Sequence, residues 1–153
     1  MTGQEVKNEE ILFYSVIKWL ILAGLCGIIA GGVVGLFLIV LFAGIDFIYN
    51  LPDWKYLLIP AGLLASLYSI KIFAPAAAGH GTDKVIAAIH YKGAEIPFSV
   101  VPIKIISTIF TLAPGAVVGT EGPGVQIGAG LMSELARALK LTEKERKKLV
   151  ICG

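Results

Sequence analysis

The sequence predicts an all-α integral membrane protein in which some membrane helices are broken. Three observations carry this prediction. Hydrophobic residues make up 56% of the 153 residues and charged residues only 16%, whereas about a quarter of a typical soluble domain is charged. The stretch from Trp19 to Ile45 contains no formal charge, and a helix needs about 20 apolar residues to cross a bilayer. Two later apolar stretches are interrupted by clusters of glycine.

Residues 1–18 are mixed in charge, and we interpret them as a cytoplasmic or interfacial segment ahead of a transmembrane domain over residues 19–153. Lys18 and Trp19 lie at its end, and such residues favour the boundary between headgroups and the bilayer core. Acidic residues precede the first apolar run where a signal peptide would carry basic ones, so we expect this helix to stay in the protein.

The first span is predicted from Trp19 to Tyr49. It carries three glycines at every fourth position, Gly27, Gly31 and Gly35. Such a stripe is typical of close packing between membrane helices, and contact with a ligand is the alternative.

The two cysteines, Cys26 and Cys152, lie in apolar segments without metal-ligand spacing, so we interpret them as small core residues.

A second apolar segment runs from Trp54 to Phe73, after a turn predicted at Asn50–Asp53. The following stretch, Ala74–Gly81, contains a proline and two glycines, which mark a break in the helix. Residues 82–91 again favour a helix, although one much shorter than a membrane span.

A third apolar segment, Phe98–Val118, is interrupted by Gly119–Gly124. The chain then restarts as a helix predicted over Pro123–Lys140, because proline suits the first turn of a helix. Thr142 with Glu145 three residues later predicts a capping box and a further helix. That last helix becomes apolar, and we expect it to be a transmembrane helix that continues in a longer protein.

The two glycine-rich breaks predict a cavity that attracts anions. Irregular backbone at membrane depth is tolerated only where it is buried in protein or lines a cavity. A helix N-terminus follows each break, and its free N–H groups and partial positive charge favour anions. One terminus contributes about 0.3–2 kcal/mol, whereas burying an unpaired anion costs tens of kcal/mol. Such a site therefore also needs direct donors and water-filled vestibules on both sides.

Glu121 lies between Gly119 and Gly122 at the second break. An ionisable residue inside a membrane is by default a hypothesis for a functional site. The helix N-terminus that follows it would stabilise its charge. The carboxylate can then occupy the place of a permeating anion until protonation neutralises it. The alternative is an ordinary carboxylate at a helix start that faces water.

These residues match a known family. The stretch Gly119–Pro123 (Gly-Thr-Glu-Gly-Pro) resembles the GREGP motif of the CLC chloride channels and chloride/proton exchangers, and Val125–Gly128 continues the match. Pro102–Lys104 resembles the stretch that precedes this motif. Gly79–Asp83 stands where the family has GSGIP. The resemblance extends in order over residues 15–153.

The resemblance implies the all-helical CLC fold, in which two inverted repeats carry broken, re-entrant helices that meet at mid-membrane. This chain would supply most of the first repeat. The implied function is chloride transport, as a channel or by chloride/proton antiport, in a homodimeric, multi-pass protein of the cell membrane without a cofactor. Glu121 takes the position of the external gating glutamate, which also carries the proton in exchangers. The residues that we assign to anion binding are His80, Gly81, Thr82, Gly119, Thr120, Gly122 and Pro123.

Three residues depart from the family's motifs. Thr120 replaces an arginine, which removes a positive charge and lowers the expected anion capture. His80 replaces a central serine, and its imidazole can either donate to an anion or point away and leave only backbone groups to bind. Asp83 replaces the last proline, where it stabilises the start of the short helix and places a negative charge near the pathway.

Two further observations concern charged residues, a basic region near the end of the sequence and a lysine within an apolar segment. Residues 134–148 carry six basic and three acidic residues, and the positive-inside tendency assigns such a region to the cytoplasm. Lys104 lies within an apolar segment. We favour a structural role for it, by pairing or by extending to the interface, over a contribution to the positive potential of the pathway.

Other function classes are less compatible with the sequence. Two alternatives remain: a broken-helix transporter for another anion, such as fluoride or nitrate, and a non-transporting chain that only inserts or associates. The second arises because the family's second-repeat anion-binding segments and its inner proton-transfer glutamate are not among these 153 residues. We expect no enzyme, because no nucleophile–base pair, metal cluster or phosphate loop is found. A nucleic-acid partner is not expected, because no basic, aromatic-rich patch is present.

Overall fold

The computed structural model describes residues 3–153, with side chains from Leu12 onward. All regular structure within these residues is helical. Six α-helices follow in order: α1 Gly3–Tyr49, α2 Leu58–Phe73, α3 Gly81–Tyr91, α4 Val100–Leu112, α5 Glu121–Ala138 and α6 Glu143–Cys152. Short 3-10 turns at Asp53–Leu57 and Pro75–Ala77 precede α2 and α3. The predicted all-α class is confirmed.

Helix α1 is continuous over 47 residues, so the backbone of residues 3–18 belongs to the same helix as the first predicted span. At 1.5 Å per residue its length is about 70 Å, more than twice the hydrocarbon core of a bilayer. Part of α1 must therefore lie outside that core. The interfacial position of residues 1–18 stays a prediction, and residues 1–2 and the side chains of residues 1–11 lie outside the described structure.

Two helical stretches among the described residues are long and apolar enough to cross a membrane, Leu12–Tyr49 and Asp53–Phe73. Helix α4 is apolar but has only 13 residues. At the same rise this helix is about 20 Å long, which is shorter than the bilayer core of about 30 Å. The chain thus contains two helical stretches that are long enough to cross a bilayer and an apolar helix, α4, that is too short to do so.

Helix α5 lies at the centre and packs against α1, α3, α4 and α6. One core joins α1, α4 and α5 through Phe37, Leu41, Val101, Leu112 and Ile127. A second core, which includes Cys26 and Met132, joins α1, α3, α5 and α6. Helix α2 packs on α4, where a Cβ atom on Gly62 would overlap the carbonyl oxygen of Phe110.

Helix α4 ends at Leu112, six residues before the predicted end, so that prediction is wrong. Pro114 has no N–H group with which to continue the helical hydrogen bonds. Gly115 has a φ of 109°, in the left-handed region that favours glycine. The helix predicted from Pro123 to Lys140 instead runs from Glu121 to Ala138. Glu121 therefore belongs to the first turn of α5.

The glycine stripe of α1 makes no helix contact within the described residues. No atom of another element lies within 4 Å of a Cβ position at Gly27, Gly31 or Gly35.

Cys26 is buried as predicted, but Cys152 is exposed, so the core prediction for Cys152 is wrong. Leu149 and Val150 supply the buried face of the last turns of α6, and Cys152 lies on the other side.

The predicted capping box at the start of α6 is confirmed. The Thr142 N–H donates to Glu145 Oε2 at 3.1 Å. Glu145 also pairs with Lys18 of α1. The Lys18 ammonium, together with the Thr142 donors, lowers the pKa of Glu145 to about 2. The ammonium of Lys148 lies 5.1 Å from the centre of the Trp19 ring. These contacts connect the basic region, residues 134–148, to the start of the first predicted span.

Candidate functional site

Helices α2, α3, α4 and α5 surround a cavity of about 340 Å³. Its walls contain residues of both glycine-rich breaks, which lie some 40 positions apart in the sequence. The predicted site residues that line it are His80, Gly81, Thr82, Gly119, Glu121, Gly122 and Pro123. Thr120 is not among the lining residues, so the structure does not bring this predicted residue to the cavity wall. Asp83 is exposed and does not line the cavity either.

Both helices that begin at the cavity have N-termini without a side-chain cap. Gly79 has a φ of 80°, which turns the chain before His80, and α3 begins at Gly81. His80 and Thr120 are the N-cap residues of α3 and α5, and neither side chain bonds to the first turn of its helix. Within the described structure, the first-turn N–H groups thus receive no acceptor from these two side chains. They remain available to a ligand with negative charge.

The starts of α3 and α5 are in direct contact through two glycines. A Cβ atom on Gly81 would overlap the carbonyl oxygen of Gly122. A Cβ atom on Gly122 would lie 3.4 Å from the Gly81 nitrogen. Glycine at position 81 therefore allows the two backbones to approach, and this approach brings two helix N-termini to one cavity.

The imidazole of His80 lies against α5. Its Cε1 and Nδ1 atoms are 3.5 and 3.7 Å from the Cβ position of Gly122. His80 is one of the residues that line the cavity, and its ring lies against the start of the neighbouring helix. The imidazole thus contacts the start of α5, and its role as a donor to an anion stays a prediction.

Glu121 is exposed and lines the same cavity as His80. Its carboxylate forms no ion pair with the side chains from Leu12 onward. The carboxylate belongs to the first turn of α5, where the helix terminus favours negative charge. Its position is therefore compatible with the predicted tethered anion.

Two side chains hold the irregular segment before α3. Lys104 of α4 donates to the carbonyl oxygens of Ala77 and Gly79, both at 3.0 Å. Gln126 of α5 donates to the carbonyl oxygen of Ala76 at 3.2 Å. The break is thus fixed by hydrogen bonds to two neighbouring helices, because its carbonyl groups have no helix of their own to join. The predicted structural role of Lys104 agrees with these contacts, and Lys104 also lines the cavity.

Four hydroxyl residues of the cavity wall were not predicted, Ser66, Ser107, Thr108 and Thr111. The hydroxyls of Ser107 and Thr111 donate to carbonyl groups of the preceding turn of α4. Within the described part of the chain, those of Ser66 and Thr108 have no protein partner. A signal for the α4 residues existed in the sequence: with Lys104 they form a polar stripe at helical spacing in an otherwise apolar segment.

The charges on the cavity wall are few. Lys104 contributes a positive charge and Glu121 a negative one, and His80 is a third group that can carry charge. The two helix N-termini add partial positive charge. When Glu121 is neutral, the wall is positive on balance, and it offers backbone, hydroxyl and ammonium donors. Such an arrangement suits a small anion.

Comparison with known proteins gives a family match. A family model described as "Voltage gated chloride channel" matches residues 61–153. A relative named "Chloride/fluoride channel protein", from Pseudomonas syringae pv. tomato, is 33% identical over 100% of this chain and 34% of its own length. Another, "H(+)/Cl(-) exchange transporter ClcA" of Yersinia pestis, is 31% identical over 65% of this chain and 21% of its own length. The chain thus spans about a third or less of these relatives. No solved structure matches it significantly.

Proposed function

The chain belongs to the voltage-gated chloride channel family, and from this premise we propose that it takes part in chloride transport across a membrane, as a channel or a chloride/proton antiporter. Because the chain covers 34% of one relative and 21% of another, we assign it one side of the transport pathway. Its contribution is the gate and the donors around it.

One observation carries this proposal: two uncapped helix N-termini meet at a single cavity, and Glu121 stands on its wall. Backbone N–H groups at such termini bind anions without a dedicated side chain. The contact between Gly81 and Gly122 keeps the two termini together. Chloride is therefore accommodated between the starts of α3 and α5, with Thr82 and His80 as additional donors.

Glu121 acts as the gate in this proposal. When ionised, its carboxylate occupies the positive region at the start of α5 and excludes chloride from it. Protonation removes the charge, which weakens the hold of the helix terminus and leaves the region to an anion. In an antiporter the same proton is the one transported. The gate therefore makes chloride flux depend on pH.

The remaining features of the family follow as proposals for the whole protein. We assign it a multi-pass position in the cell membrane, with the first inverted repeat supplied by residues 19–153 and the breaks before α3 and α5 at mid-membrane. We further propose that it works as a homodimer. The short α3 and α4 support re-entrant helices, because neither is long enough to span a bilayer.

Fluoride is the second candidate substrate. The relative that aligns over the whole chain is named for both chloride and fluoride. In addition, His80 stands where the family motif has serine, which changes the donor at the centre of the site. Parallel efflux measurements with chloride and fluoride electrodes, on the same batch of liposomes, decide between the two anions.

The test of the gate is Glu121→Gln in purified protein reconstituted into liposomes, with chloride efflux measured between pH 4.5 and 7.5. We expect the unmodified protein to transport chloride in a pH-dependent manner and the Gln variant to transport it at a rate independent of pH. The matched control is Asp83→Asn, because Asp83 is also an acid in the first turn of a helix but does not line the cavity. A Gln variant that keeps the pH dependence would refute the gate assignment.

A further inference from the structure

Helix α4 presents a polar wall to the cavity, and Lys104 is its charged member. This residue is only 6% exposed. Its ammonium donates to the carbonyl oxygens of Ala77 and Gly79, the residues immediately before the start of α3. Thr108, one helical turn further on, lines the same cavity with a hydroxyl that has no protein partner within the described residues.

A buried lysine normally has an acidic partner, because an uncompensated charge is costly away from water. Lys104 has none among the side chains described from Leu12 onward, where the ion pairs involve Lys18, Arg137, Arg146 and Lys147. Two backbone carbonyl groups offset part of this cost. The cavity can supply the remaining compensation, and among the described residues that line it Glu121 carries a carboxylate.

The carbonyl groups that Lys104 engages matter for an anion. Carbonyl oxygens carry partial negative charge, so those of Ala77 and Gly79 would repel an anion at the start of α3. An ammonium that binds both oxygens screens this repulsion. It also keeps the segment in the conformation that presents the first-turn N–H groups of α3. An ammonium has three donors, and two are used here, which leaves one for an anion or a water molecule.

We propose, on the basis of the proposed function, that Lys104 is the fixed cation of the anion site and the positioning residue of the break before α3. In this arrangement Glu121 and the transported anion alternate as its counter-ion. The class of ligand is a small inorganic anion, such as chloride or fluoride. Lys104 therefore sets the affinity for the anion, and Glu121 sets when the anion can enter.

The test uses the Glu121→Gln background, because there the anion no longer competes with a carboxylate. Chloride binding to the purified protein is measured by titration calorimetry for four proteins: this background alone and with Lys104→Gln, Lys104→Arg or Lys84→Met added. The amide of glutamine keeps hydrogen-bond donors but has no charge, whereas arginine keeps both donors and charge. Lys84 is the matched control, since it lies at the start of α3 but does not line this cavity.

We expect Lys104→Gln to weaken chloride binding at least roughly tenfold, because it removes a unit charge from the site. Lys104→Arg and Lys84→Met should each stay within about threefold of the background. A lower melting temperature with an unchanged chloride affinity in Lys104→Gln would assign Lys104 to packing alone and overturn the inference. Failure of the background itself to bind or transport any anion would overturn the proposed function as well.

Discussion

The contact between Gly81 and Gly122 allows a sharp test of the site, through the substitution Gly81→Ala. The added Cβ atom would overlap the carbonyl oxygen of Gly122 and lie 2.7 Å from its carbonyl carbon, whereas ordinary contact begins at 3.4 Å. The starts of α3 and α5 must therefore separate by at least 0.7 Å. The atoms in the way belong to the backbone, so no side chain can rotate to make room.

Excess volume in a packed interior costs about 1–3 kcal/mol, and we expect the upper part of this range because two helices must move. The same movement widens the space between the two N-termini, so anion binding should weaken together with stability. Thermal unfolding in detergent and chloride efflux from liposomes measure the two effects. The matched control is Gly119→Ala, because Gly119 also lines the cavity but a Cβ atom there meets nothing within 4 Å. If Gly81→Ala is as stable and as active as Gly119→Ala, the two helix starts are not packed as described.

Two further predictions concern His80 and Glu145. His80→Ser should change the chloride-to-fluoride permeability ratio by about two- to tenfold, the effect of replacing one hydrogen-bond donor, and unchanged ratios would remove His80 from the pathway. Glu145 has its pKa lowered from 4.5 to about 2 by Lys18, so its contribution to stability is complete above about pH 4.5 and is lost as pH falls towards 2. Glu145→Gln should therefore flatten the loss of stability between pH 4.5 and 2 in thermal unfolding, and an unaltered pH profile would contradict the pairing with Lys18.

The sequence was most informative where backbone chemistry determines structure. Glycine clusters located both breaks, and α3 begins within one residue of its predicted start. The spacing of Thr142 and Glu145 predicted the cap of α6. Composition misled at the end of α4, because residues 113–118 are apolar enough to extend a helix, although Pro114 and Gly115 end it. Local backbone preference therefore outweighs hydrophobicity when the two disagree.

The side chains of the cavity were harder to predict because their partners are distant in sequence. The ammonium of Lys104 bonds to carbonyl groups 27 and 25 residues earlier, and no spacing rule connects these positions. The approach of Gly81 to Gly122 likewise depends on the packing of α3 against α5. The glycine stripe of α1 had a clear spacing, yet it meets no partner within the described residues. A pattern of small residues indicates that close contact is possible, not where it is made.

The energetic demand of an anion inside a membrane explains why Lys104 and Glu121 belong together. Two helix termini return about 0.3–2 kcal/mol each, far less than the cost of burying an ion. A unit charge at 4 Å would contribute about 4 kcal/mol at an effective dielectric constant of 20, so one ammonium contributes as much as both termini at the upper end of their range. Without a counter-ion, however, that ammonium would itself be costly in the fold. In the proposed arrangement Glu121 compensates it while the anion is absent, and neutralising Glu121 would leave Lys104 uncompensated and so draw the anion in. The two side chains should therefore be energetically coupled, and the effect of Lys104→Gln on chloride affinity should be larger in the Glu121→Gln background than in the unmodified protein.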